Sequence, residues 1–187
     1  MSTATVQSAT GTYAIDASHS SIGFVVRHAM VAKVRGSFNE FAGGGYFDAE
    51  NPANSHLQLT IQVKSIDTRN ADRDNHLRSN DFFDMEKFPE ITFVSTAFNR
   101  VDNENYQVTG DLSVRGVTKA ITVDLAYLGA AVDPYQNHRL GFEGKATINR
   151  KDWGVNWNAA LEAGGVLVGE KVTLEFEISA IRSTEAA

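Results

Sequence analysis

Ser55-His56-Leu57-Gln58-Leu59-Thr60-Ile61-Gln62-Val63-Lys64 alternates apolar and polar side chains with a period of two. Leu57, Leu59, Ile61 and Val63 fall on one face, and His56, Gln58, Thr60, Gln62 and Lys64 on the other. Successive side chains of an extended chain point to opposite faces, so this run is a strand with one face in a core and one in water. The signature recurs along the chain. Tyr106, Val108, Leu112 and Val114 alternate with Gln107, Thr109, Asp111 and Ser113. Ile121, Val123, Leu125 and Tyr127 repeat it, as do Leu140, Phe142, Ala146 and Ile148. Val172, Leu174, Phe176 and Ile178, set against Thr173, Glu175, Glu177 and Ser179, form the last run.

The N-terminal runs, SSIGFVVRHA at 20–29 and VRGSFNEFAGGGYFDA at 34–49, are long and less regular. Gly43, Gly44 and Gly45 interrupt the second. Glycines inside a strand mark a bulge, a sharp bend or a close approach, and a closing barrel needs such bends. No Lys-Ser/Thr pair and no helix signal follows them, so a phosphate loop is disfavoured. Asp102-Asn103-Glu104-Asn105, Arg115-Gly116 and Asp133 to Asn137 are short and polar, as hairpin turns are. DTRNADRDNHLRSNDFFDMEKFP, residues 67–89, breaks the period and reads as a short helix or helical loop near 71–80, stopped by Pro89. The only internal echo is Val-Arg-Gly at 34–36 and 114–116, too short to signal duplication. About eight long strands without a linker predict an all-β fold: a single antiparallel closed β-barrel over residues 12–182, preceded by a disordered tail at 1–11. Residues 183–187 are expected to fray as well. A barrel of this size is filled by side chains or holds one small ligand.

The 187 residues carry 23 acidic and 17 basic side chains, a net charge of −6, with Lys and Arg scattered. That balance disfavours nucleic acid and strong adhesion to anionic membranes. With no cysteine, disulfides, thiolate catalysis and zinc–thiolate sites are excluded. The polar N-terminus MSTATVQSATGT lacks a basic head and an apolar run, so a cytoplasmic protein is expected, or a periplasmic or secreted one if a leader has been removed. Apolar stretches fall far short of the ~20 residues of a membrane helix, so no stable membrane insertion is expected.

His19, His28, His56, His76 and His138 form no compact metal-binding pair, and no metal is expected. Asn70, Asp72, Asp74 and Asp81 resemble a calcium loop superficially, but Asn75 stands where the central glycine belongs. They read better as a solvated helix cap. There is no G-x-S-x-G elbow. Ser18-His19-Ser20 reads as a poor dyad, because neighbouring side chains in a strand face opposite ways. No catalytic residue or cofactor is expected. Eleven Phe, five Tyr and two Trp are more informative. Most suit ordinary core packing, but an apolar pocket with a few polar groups at its mouth is also how lipid sites are built. Arg27 and His28, with Arg73, His76 and Arg78, could meet a head group there, or form an Arg–Asp network pinning the loop to the barrel.

Four segments in order resemble the YceI-like proteins, a family of polyisoprenoid-binding, lipocalin-like lipid-binding barrels. They are TYAIDASHSSIGFVVRHAMVAKVRGSF, SIDTRNADRDNHLRSNDFFDMEKFPEITF, VTGDLSVRGVTKAITV and ATINRKDWGVNW, and the resemblance spans about residues 12–181. It implies a barrel of about eight strands with a helical segment near the mouth. It also implies a tunnel for a quinone, polyprenyl or fatty-acid-like ligand, and often a homodimer. Many relatives are exported, and this chain departs from them in showing no leader. The family has no established catalytic residues, so none is carried over. By position, the resemblance implies tunnel-lining roles for Phe24, Val26, His28, Phe38, Phe82, Phe83, Phe93 and Trp153. It implies head-group roles for Arg27 and His76.

Three functions follow for testing. The first is a carrier or sequestering protein for one long apolar molecule. The second is a stress-related, packed barrel without ligand. The third is a cofactorless isomerase or hydrolase acting on a lipid, with His28 or His76 as general base, which requires a carboxylate or hydroxyl within hydrogen-bond reach of that histidine and the histidine to face the cavity.

Overall fold

The computed structural model describes residues 9–183. Eleven strand segments form one antiparallel sheet: β1 (Gly11–Ile15), β2 (Ser21–His28), β3 (Ala32–Phe38), β4 (Phe41–Phe47), β5 (His56–Gln62), β6 (Ile66–Asp67), β7 (Glu90–Arg100), β8 (Asn105–Val114), β9 (Val117–Val132), β10 (His138–Asn149) and β11 (Val168–Arg182). Three pairs are single long strands with a break: β1 with β2, β3 with β4, and β5 with β6. The result is a closed, eight-stranded antiparallel barrel in which each strand neighbours the next in sequence. β11 closes it on the first strand, pairing with β2 over Val168–Glu177 and with β1 through Ala180, Ile181 and Arg182. Among the described residues one α-helix, α1 (Ala71–Arg78), interrupts the β order between β6 and β7.

The breaks are local chemistry. Between β1 and β2, Asp16 caps a 3-10 turn over Ala17–His19 by accepting from the Ser18 amide at 3.1 Å. A second 3-10 turn, Val63–Ser65, separates β5 from β6, and Ser65 Oγ donates back to Gln62 O at 2.7 Å. At the glycine run, β1 and β5 crowd β4 from both sides. A Cβ at Gly45 would lie 2.0 Å from His56 O, and one at Gly44 would lie 2.3 Å from Tyr13 O. The glycines are therefore required by close approach. The β8–β9 turn is of the two-residue type with both central φ positive, 49° at Arg115 and 73° at Gly116.

Two expectations shift, both at the ends of the chain. Of the expected tail, residues 1–8 lie outside the described residues, but Ala9 is buried and Gly11 opens β1. Ala9 is held because its carbonyl accepts from Tyr13 Oη at 2.8 Å, while Thr10 Oγ1 accepts from Ala49 N at 3.0 Å. At the C-terminus, Ser183 N donates to Thr12 O at 2.8 Å, and residues 184–187 lie outside the described residues. The helix falls where expected, over Ala71–Arg78, and ends where Ser79 Oγ donates back to His76 O at 2.6 Å. No helix among the described residues is long and apolar enough to cross a membrane.

Candidate ligand-binding cavity

Every strand contributes its apolar face to the lumen, but the lumen is not filled. An apolar cavity of about 310 Å³ runs inside the barrel. A single water needs only about 10–15 Å³ of such space, and small-molecule pockets start near 300 Å³. Ile22, Phe24 and Val26 line it from β2, Leu57, Leu59 and Ile61 from β5, Ile91 and Phe93 from β7, and Leu174, Phe176 and Ile178 from β11. Leu112, Val123, Phe142 and Ile148 continue the wall.

Three phenylalanines lie flat against that wall because the residue beneath each is glycine. A Cβ at Gly36 would sit 2.3 Å from Phe24 Cζ, one at Gly110 would sit 2.4 Å from Phe93 Cζ, and one at Gly144 would sit 2.3 Å from Phe176 Cε2. Gly36 and Gly144 are the direct cross-strand partners of Phe24 and Phe176. Rings laid over glycines keep the lumen open where larger partners would push them into it.

The two ends differ. At the end holding residues 48–55, 101–104 and 133–137, Phe47 and four rings around it form a floor. Its centroid lies 6.1 Å from Phe98, 5.8 Å from Tyr106, 6.1 Å from Tyr127 and 5.6 Å from Phe142. Tyr106 is 1% exposed, and burial pushes the Tyr127 phenol above its ordinary pKa. At the other end, residues 67–89 and 150–167 fold over the opening and supply Leu77, Phe82, Phe83, Trp153 and Val155 to the cavity.

Hydrogen bonds to backbone hold this cover in place. Arg115, on the β8–β9 turn, donates from Nη2 to Asn80 O at 2.8 Å, and from Nη1 to Phe82 O at 3.0 Å and Gly154 O at 3.3 Å. Arg78 donates to Lys64 O and Ile66 O, both at 3.1 Å. Arg73 Nη2 donates to Thr68 O at 2.6 Å, and buried Asp74 accepts from Thr68 N at 2.9 Å. Trp153 Nε1 donates to Leu112 O at 2.9 Å. Arg73 and Arg78 thus pin the loop, through carbonyls and Thr68 rather than through Arg–Asp pairs. Asn70 is the helix cap, accepting from Arg73 N at 2.9 Å, and no group of side chains suited to a metal occurs among the described residues.

The structure gathers Phe24, Val26, Phe38, Phe82, Phe83, Phe93 and Trp153 around the cavity, and leaves Arg27, His28 and His76 outside its lining. Arg27 is exposed on the outer face opposite Lys33, because the β2 register turns Ile22, Phe24 and Val26 inward. His28 shares the inward parity but is the last residue of β2, at the rim. His76 lies over the cover: its Nε2 meets Asp81 Oδ2 at 2.7 Å, and its ring packs edge-on against Phe82 at 5.0 Å and Trp157 at 4.6 Å. With neither His28 nor His76 facing the cavity, the proposed general base has no substrate within reach.

Ser18 and His19 do meet, contrary to the strand argument, because they sit in the 3-10 turn. His19 Nδ1 lies 3.0 Å from Ser18 Oγ and 2.8 Å from Asp16 Oδ2. Both partners address the same nitrogen, so the ring cannot relay a proton from one to the other.

The sequence reading missed Arg150. It is 6% exposed and lines the cavity. Its Nε donates to Gly169 O at 2.8 Å, Nη1 to Val155 O at 2.7 Å and Nη2 to Val168 O at 3.3 Å. Burial pulls its pKa below the ordinary arginine value, with the charge of Glu170 opposing. The signal was present: Arg150 continues the inward parity of Phe142, Ala146 and Ile148.

Comparison with known proteins agrees with this architecture. Residues 13–180 match the YceI-like domain. This chain belongs to the YceI-like family. A UPF0312 protein of Staphylococcus epidermidis is 43% identical over 166 residues, covering 88% of this chain and 93% of its own. One from Photorhabdus laumondii is 41% identical over 139 residues, covering 74% of this chain and 72% of its own. Among solved structures, Burkholderia cenocepacia BcnA superposes with a TM-score of 0.78 at 25% identity, covering 88% of this chain and 98% of that one. A polyisoprenoid-binding domain from Saccharophagus degradans shares the YceI-like barrel at a TM-score of 0.68 and 16% identity, covering 91% and 98%.

Proposed function

We propose that this YceI-like barrel binds one long apolar molecule, an isoprenoid, quinone or fatty-acid derivative, inside its lumen and carries or sequesters it. The observation that carries this reading is the cavity of about 310 Å³, kept open by phenylalanine rings laid over Gly36, Gly110 and Gly144. A barrel evolved only for packing would fill that space, because voids cost stability. Binding then needs no covalent chemistry: each tail methylene removed from water contributes about 0.8 kcal/mol. Polyisoprenoid binding by the Saccharophagus degradans domain is consistent with such a ligand. We also expect self-association, which the family resemblance implies.

Nile red, a neutral apolar dye, tests the reading. Delipidated protein should enhance its fluorescence saturably, and Phe24→Trp, which fills part of the lumen, should weaken that binding. Enhancement unchanged by Phe24→Trp would place the dye elsewhere and contradict the reading.

A further inference from the structure

Arg150 has hydrogen-bond partners but no counter-ion. No Asp, Glu or Lys among the described residues lines the cavity, and no carboxylate among them lies within ion-pair distance of Arg150. The acid whose charge reaches it, Glu170, is partly exposed and engaged by Lys151 Nζ at 2.7 Å. The three acceptors of Arg150 are neutral backbone carbonyls, which satisfy N–H groups without cancelling the charge. A guanidinium offers five N–H donors, and three are used. A buried charge without an opposite charge is destabilising, and its retention in the wall of an apolar cavity calls for compensation from what enters the cavity.

We propose that Arg150 is the head-group anchor and that the cavity takes an amphiphile with an oxyanion head, a carboxylate or a phosphate monoester, on an apolar tail. This rests on the lumen being a ligand site, as proposed above. The head would sit under the 150–167 cover and the tail would run toward the floor around Phe47. Guanidinium suits both heads, since its planar fork matches carboxylate and phosphate geometry and forms charge-assisted bonds. A neutral quinone or alcohol could accept a hydrogen bond but would leave the charge uncompensated.

The test is competition for Nile red bound to delipidated full-length protein by two matched pairs: hexadecanoate against its methyl ester, and geranylgeranyl phosphate against geranylgeraniol. Each anion should displace the dye at a concentration at least about tenfold lower than its neutral partner. The stronger anion names the source of the head. In Arg150→Gln the preference should fall to about twofold or less, while Arg150→Lys, which keeps a charge, should retain part of it. Equal displacement by anion and neutral partner in the wild-type protein overturns the role of Arg150 and leaves the lumen reading standing, a comparison that holds even if Arg150→Gln fails to fold. A preference that survives in folded Arg150→Gln overturns it too. Failure of the protein to bind Nile red or any competitor overturns both readings.

Discussion

The strands' own aromatic side chains meet across the lumen at one end of the barrel and fill it. At the other end the strands stop short, and two loop segments are laid across the opening. The floor around Phe47 is built from β4, β7, β8, β9 and β10 and is covalently part of the wall. The cover is packed on the lumen through Phe82, Trp153 and Val155 and tied to the wall by polar contacts to backbone carbonyls, with Arg115 joining residues 80, 82 and 154 from a single side chain. Hydrophobic packing spread over many rings opens only with global unfolding, whereas a latch of a few hydrogen bonds opens locally. The difference predicts that the floor carries more of the stability and that the cover opens first.

The largest effect should come from the floor. Phe47→Ala removes a buried ring touching four others and should cost about 3–5 kcal/mol in urea unfolding. Phe83→Ala, on the cover, should cost less than half as much, because that ring is half-buried and faces open cavity. Equal costs would break the distinction between the two ends. Next comes the latch: Arg115→Ala should cost about 1–3 kcal/mol. In hydrogen exchange it should deprotect amides in residues 76–88 and 150–160 while β7 to β10 stay protected. Uniform deprotection would make Arg115 part of the global core.

Gly36→Ala sharpens the comparison from inside. The new methyl displaces the Phe24 ring, which has empty lumen to move into, so the stability cost should be about 1 kcal/mol or less. Nile red affinity should nonetheless fall, because the ring takes up ligand space. Full affinity in a well-folded variant would remove the role given to the glycines. The smallest effect concerns acid. Asp16 is held well below the usual carboxylate pKa by Ser18, Arg139 and His19, and Asp133 by Arg139 and Asn137. Arg139 joins them near the floor, at 2.7 Å to Asp16 Oδ2 and 2.8 Å to Asp133 Oδ2. A depressed folded-state pKa stabilises the fold above the unfolded value, about 3.9 for Asp, and that contribution is lost as pH falls further. Thermal stability should be flat with respect to these groups from pH 5 to 8 and decline below about pH 4. Asp133→Asn should soften the decline.

Much of this was legible because a strand repeats its environment every second residue. Leu57, Leu59 and Ile61 could be set inward from the alternation alone, and the Arg115-Gly116 turn from its composition. The breaks in the first three long strands were not legible. Two of them, between β1 and β2 and between β5 and β6, are 3-10 turns, and the first brought Ser18 to His19 where strand alternation would have separated them. The cover was partly legible: Phe82 and Phe83 were placed at the cavity, but the use of Arg115 to hold them joins residues more than thirty apart. Arg27 and His28 drew attention through adjacency to an apolar run, yet register sent Arg27 outward and left His28 at the rim. Arg150 was overlooked although its parity matched Ile148, because a charged residue just past a strand reads first as surface.

Native mass spectrometry of the purified full-length protein, followed by organic extraction and mass analysis, bears most directly on an open lumen built for a ligand. The expected result is a mass shift of one apolar molecule per chain, either co-purified or acquired on incubation with fatty acids, polyprenyl compounds and quinones, and diminished in Phe24→Trp. A bare mass under every condition would contradict it and leave a ligandless barrel.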